Sequence, residues 1–146
     1  MAYLSEIITK TSAIPRDKWK ITSDWDAYND RNSYAYEVDL GDNSKLITRF
    51  VGNSSGTDMY DIAFLIIPPL SRGEDASVHK TVLVLSTVVD MIRYFIRKMS
   101  PDILYMEPTS WTKHSIFTKL IKRDLSRLGY EFNRSAGRYI RLSRVK

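Results

Sequence analysis

The chain contains no cysteine. That absence removes disulfide staples, thiolate metal ligands and thiol nucleophiles together. It suits a reducing compartment, and the cytoplasm is the expected location. Histidine is nearly as scarce: His79 and His114, the only 2, stand 35 positions apart and form no i, i+4 ligand pair, so no metal site is expected. The 6 glycines never fall into G-x-G-x-x-G, and no Walker-type G-x-x-x-x-G-K-[ST] occurs, which leaves no dinucleotide or P-loop signature. A G-x-S-x-G nucleophile elbow is also missing. The most apolar stretch, 82–96, is broken by Asp90 and Arg93 and is too short to span a bilayer. The opening residues 1–10 carry Glu6 and lack the apolar run of a signal peptide. There is no repeat, no low-complexity tract and no linker, so residues 1–146 read as one domain.

Apolar residues, at 43%, are plentiful enough to build a core. Charge is unevenly spread. Residues 1–90 hold 9 Lys/Arg against 13 Asp/Glu, whereas residues 91–146 hold 13 against 4, so a chain of net charge +5 splits into parts of −4 and +9. Such polarity can guide a polyanion to one face.

The spacing of Leu4, Ile7 and Ile8 predicts a short helix over 2–10, ended by Pro15. A first strand is expected over 19–22, and the polar run 24–32 reads as a loop. Alternation over 34–40, with Tyr34, Tyr36, Val38 and Leu40 on one face, leads through Gly41-Asp42-Asn43 to a second strand over 46–51. Another turn over 52–58 precedes a strand over 59–67. Because 63–67 is apolar on both faces, that strand is expected in the middle of the sheet. Pro68 and Pro69 stop it. From Ser77, a candidate N-cap, Val78, Val82, Leu85, Val89, Ile92, Phe95/Ile96 and Met99 mark a long helix that Pro101 follows. Residues 103–106 read as a strand. After a turn at 108–112, Ile116, Phe117, Leu120, Ile121, Leu125 and Leu128 mark a second helix closed by Gly129. Strands over 130–132 and 139–145 close the chain. The fold class is α/β, of the α+β mixed-sheet type. An antiparallel meander is followed by β-α-β-α and a C-terminal β-hairpin, with helices on the faces of the sheet.

This order resembles the GNAT acyltransferase fold. The stretch VLSTVVDMIRYFI over 84–96, Pro101-Asp102-Ile103-Leu104, and the segment from Phe117 to Gly129-Tyr130 are similar to a group of uncharacterised tailed-phage proteins with a GNAT-like C-terminal half. The likeness covers roughly residues 59–146. It implies a viral protein working in a host cytoplasm, and an acyl-CoA site at the turn that follows the central strand. There, backbone N–H groups at a helix N-terminus would hold the pyrophosphate. The matching residues are Arg72, Gly73, Ser77, Val78, His79 and Lys80. This turn has one glycine where the family motif has two or more. Glu74 and Asp75 add negative charge, and like charges about 4 Å apart repel by about 4 kcal/mol at an effective dielectric of about 20.

The resemblance also implies a tyrosine acid in the following helix. The matching position is Phe117, which has no proton to give. Tyr105 and Tyr130 are the possible substitutes, and Glu107 is the candidate general base. The expected function is therefore binding of a host or viral protein by a GNAT-like domain with a degenerate acyl-CoA site and no cofactor. One alternative is an N-acyltransferase that uses acetyl-CoA at an atypical 70–80 loop. Another is a nucleic-acid-binding accessory protein. For an acidic partner or nucleic acid, the candidate contacts are Lys119, Lys122, Arg123, Arg127 and Arg138, with Trp111 and Tyr139 available to stack. Arg138, Arg141 and Arg144 do not share a strand face, since Arg141 points opposite to the other two.

Overall fold

The computed structural model describes residues 13–27, 30–41, 43–53, 58–67, 78–106, 115–135 and 139–145. The helix expected over 2–10, the loop 70–77 and the turns at 108–112 and 136–138 lie outside them. Strands β1 (Lys20–Asp26), β2 (Arg31–Gly41), β3 (Ser44–Asn53) and β4 (Met59–Ile67) form an antiparallel meander. Helix α1 (Val78–Met99) crosses to β5 (Ile103–Met106), which runs parallel to β4. Helix α2 (Ser115–Ser126) leads to the hairpin of β6 (Tyr130–Ser135) and β7 (Tyr139–Arg144). The result is a mixed α+β fold with a 7-stranded sheet in the order β1-β2-β3-β4-β5-β7-β6, so the last strand sits between β5 and β6.

The alternation seen in the sequence becomes one buried sheet face. Tyr36, Val38, Leu46, Phe50, Tyr60, Ile62, Ile66, Leu104, Met106, Ile140 and Leu142 all lie there, aligned across strands by pairs such as Val38↔Leu46 and Leu46↔Ile66. Both helices cover this face: Phe95 of α1 stacks on Phe50 at 4.0 Å, and Phe117 of α2 meets Phe64 at 5.7 Å. Among the described residues, both helices thus lie on this one face. β4 is central in the sheet, as its apolar run implies, yet Leu65 and Ile67 remain 37% and 47% exposed on the other face. No helix of the described residues is long and apolar enough to cross a membrane.

Two further corrections have physical causes. The polar run 24–32 is mostly strand, because Asp24, Trp25 and Asp26 pair with Ser33, Asn32 and Arg31, and Asp30, just before β2, has φ 54°. β1 is the sheet edge and exposed almost throughout, so its polar residues reflect solvent contact and not a loop. Helix α1 is buried over a wider arc than one stripe. Val84, Val88, Met91 and Thr87 are also fully buried. The chain before β1 packs on that flank. The Ile14 N–H donates to Thr87 Oγ1 (3.1 Å), Thr87 Oγ1 donates to the Leu83 carbonyl (2.7 Å), and Trp19 Nε1 donates to the Ile14 carbonyl (3.0 Å).

Where α1 ends, Ser100 takes a left-handed φ of 46° while its N–H keeps a bond to the Ile96 carbonyl at 2.8 Å. The next residues start a polar corner. The Asp102 and Ile103 N–H groups both donate to the Asp58 carbonyl. Arg144 donates to the Ser100 carbonyl (3.1 Å) and to the Asp102 carboxylate. The Tyr130 hydroxyl donates to the Pro101 carbonyl. Arg31, 3.6 Å from Asp58, borders the same corner and stands over the Tyr60 ring.

Candidate functional site

Strands β4 and β5 pair over four residues, from Met59↔Ile103 to Ile62↔Met106. β5 stops there, while β4 continues to Ile67. The pairing therefore ends at Ile62↔Met106, and β4 runs on beyond it without β5. Phe64, two positions past the last pair, meets Phe117 in the first turn of α2. Phe117 is fully buried. On the helix side, the position just beyond the last β4–β5 pair is thus filled by two rings that carry no titratable group.

The other candidates for acid–base work are dispersed. Tyr130 begins β6, which is parallel to β5, and so sits at the end of the sheet where β4 and β5 start, away from the end of β4 at Ile67. Its hydroxyl is committed to Pro101, and burial raises its pKa above the ordinary phenol value of 10.0, against a smaller lowering by Arg144. Tyr105 lies near the correct end of β5, but on the sheet face away from the helices, in a cross-strand row with Asp61 and Arg141. Val78, His79 and Lys80 form the first turn of α1. Arg72, Gly73, Ser77 and Glu107 lie outside the described residues. The described residues hold no group of three or more His, Asp or Glu able to bind a metal ion.

The basic candidates converge better. Lys119, Lys122 and Arg123 recur at spacings of three and four along α2, which puts them on one side of the helix, and Arg127 follows in the turn beyond it. All four are exposed. Arg123 pairs with Asp124 at 2.9 Å, and the Lys122 ammonium stands 5.3 Å over the Phe132 ring. Arg138 lies outside the described residues. Arg141 and Arg144 do occupy opposite faces of β7, and Arg144 is spent on the polar corner. Arg141 Nε and Ser143 Oγ are buried on the face away from the helices with no hydrogen-bond partner.

The structure also exposes Ile21 and Trp25 of β1, a pair that a loop over 24–32 would separate. Their signal was the alternation Ile21, Ser23, Trp25, which continues the period of two across that boundary. No protein-family model, curated protein or solved structure matches the chain.

Proposed function

We propose that this chain is a GNAT-like binding domain of the phage type, that it does not transfer acyl groups, and that its α2 surface docks an acidic protein of the host or the virus. The observation that carries this reading is α2 itself: it turns Phe117 inward onto Phe64 and presents Lys119, Lys122 and Arg123 outward. The strand order, with β7 between β5 and β6 and β4 parallel to β5, supports the GNAT-like part. A ring contact without a titratable group just beyond the last β4–β5 pair supports the non-catalytic part, since a leaving thiolate needs a proton donor.

The length of the cationic surface favours a protein over nucleic acid. At 1.5 Å per residue, Lys119 to Arg127 spans about 12 Å. Four cations over that distance neutralise few phosphates, so nucleic-acid binding through this surface alone would be weak and would fall roughly 100-fold between 50 and 200 mM salt.

Two measurements test the reading. Thermal unfolding with millimolar acetyl-CoA is expected to leave the Tm unchanged; a saturable rise would refute the non-catalytic assignment. Capture of an acidic protein from host lysate is expected to be lost when Lys119, Lys122 and Arg123 are all changed to Glu. Unchanged capture by that triple variant would move the docking surface elsewhere, and tight, salt-sensitive binding of duplex DNA would favour the nucleic-acid reading.

A further inference from the structure

The edge strand β1 carries a pattern that the proposed function does not use. β1 ends the sheet and pairs only with β2 among the described residues, so the backbone donors and acceptors along its other side face outward. All but one of its seven residues are exposed. Edge strands of this length are usually blunted by proline, a bulge or a row of like charges. β1 contains no proline and no glycine, and its charged residues are of both signs: Lys20, Asp24 and Asp26. On the helix side it presents Ile21 and Trp25, 41% and 60% exposed. A groove of about 200 Å³ lies at Ile21, Thr22 and Ser23, bounded by Tyr34, Tyr36, Tyr94 and the end of α1 at Lys98 and Met99.

We infer that β1 pairs antiparallel with β1 of a second copy of this chain, around a twofold axis through Ser23. The occupant follows from the strand's own complementarity. In that register Lys20 stands opposite Asp26, Ile21 opposite Trp25, Thr22 opposite Asp24, and Ser23 opposite itself. Opposite charges meet, and the two exposed apolar side chains form an aromatic–aliphatic cross-strand pair, made twice by symmetry. Neighbouring registers fail. A shift of one residue sets Ile21 against Asp24 and turns the helix side of one copy toward the bare side of the other. A shift of two sets Asp24 against Asp24, or leaves Trp25 without an opposing residue inside the strand. The chosen register joins two sheets into one, with both copies of α1 on the same side.

The absence of cysteine allows a register-specific test. Wild-type chain should sediment at twice the monomer mass, and changing both Ile21 and Trp25 to Ser should return it to monomer while the circular dichroism spectrum is retained. Ser23→Cys should form an intermolecular disulfide under mild oxidation at least about tenfold faster than Ile21→Cys, because directly opposed Cβ atoms lie about 5 Å apart whereas the two Ile21 positions are offset along the strands. Swapping charges on both sides, Lys20→Asp with Asp26→Lys, should keep the dimer that Lys20→Asp alone weakens. A monomeric wild-type chain across the concentration series, or equal cross-linking from Ile21→Cys, would overturn the inference.

Discussion

The aromatic layer beneath α1 and the polar corner where α1 ends hold the same sheet by different means. In the layer, Phe95 stacks on Phe50 with ring planes 7° apart and meets Tyr34, Tyr36 and Tyr60 edge-on. Trp19 and Tyr94 extend it toward β1. This layer stabilises by removing large surfaces from water, in proportion to area and with modest angular demands. The corner works through directed bonds among Asp58, Ser100, Pro101, Asp102, Tyr130 and Arg144, which join the starts of β4, β5 and β6 to the end of β7. Each of those bonds is worth little net, but leaving a buried partner unpaired is costly. The first region sets how stable the fold is. The second sets which strand lies beside which.

The largest expected effect breaks the aromatic side of this contrast. Phe95→Ala should cost about 3–5 kcal/mol in denaturant unfolding with an unchanged m-value, since it empties the centre of the layer. A loss under about 1 kcal/mol would mean that the layer is not the main store of stability.

Alkaline titration comes next and weighs the two regions together. Burial raises the phenol pKa of Tyr36, Tyr60 and Tyr130 above 10.0, with Tyr36 moved furthest. Between the ordinary and the raised value, the unfolded chain has lost the proton that the folded chain keeps, so stability falls with pH. The contribution is complete below about pH 10 and is lost as pH rises through each folded pKa. Tyr36→Phe should flatten this loss more than Tyr130→Phe, as read by thermal melts across the alkaline range.

The smallest effect belongs to the corner. Tyr130→Phe keeps the ring and removes the bond to Pro101, for an expected loss of about 1–2 kcal/mol at neutral pH. The Tm shift measures it, and an unchanged Tm would show that the corner contributes geometry without stability.

What could be read in the sequence follows the same division. The strand over 59–67, the hairpin around Gly41 and Asn43, and the span of α1 rest on periodicity, and the structure reproduces them, although α1 is buried beyond its one expected stripe. The common face of Lys119, Lys122 and Arg123 was likewise legible, because helical spacing alone sets it. The corner was not. Tyr130 and Pro101 are 29 residues apart, and Arg144 and Asp102 are 42 apart, so their meeting depends on the insertion of β7 between β5 and β6. The same limit applied just beyond the β4–β5 pairing: Phe117 was visible as a residue without a proton, but its contact with Phe64 exists only once α2 has docked. The polarity of 24–32 resembles that of a loop, and this hid the second half of β1 and the shared strand face of Ile21 and Trp25.

The buried hydroxyl of Thr87 gives the molecule a built-in reporter. It accepts from one backbone amide, that of Ile14, and Ile14 lies ahead of the first strand, outside any ladder or helix. Deuterium uptake at that amide therefore follows the seating of the leading segment against α1, separately from the opening of the sheet. A rapid rate at Ile14 beside slow rates in β3 and β4 would reveal a peel-away motion of the chain's beginning while the remainder stays closed.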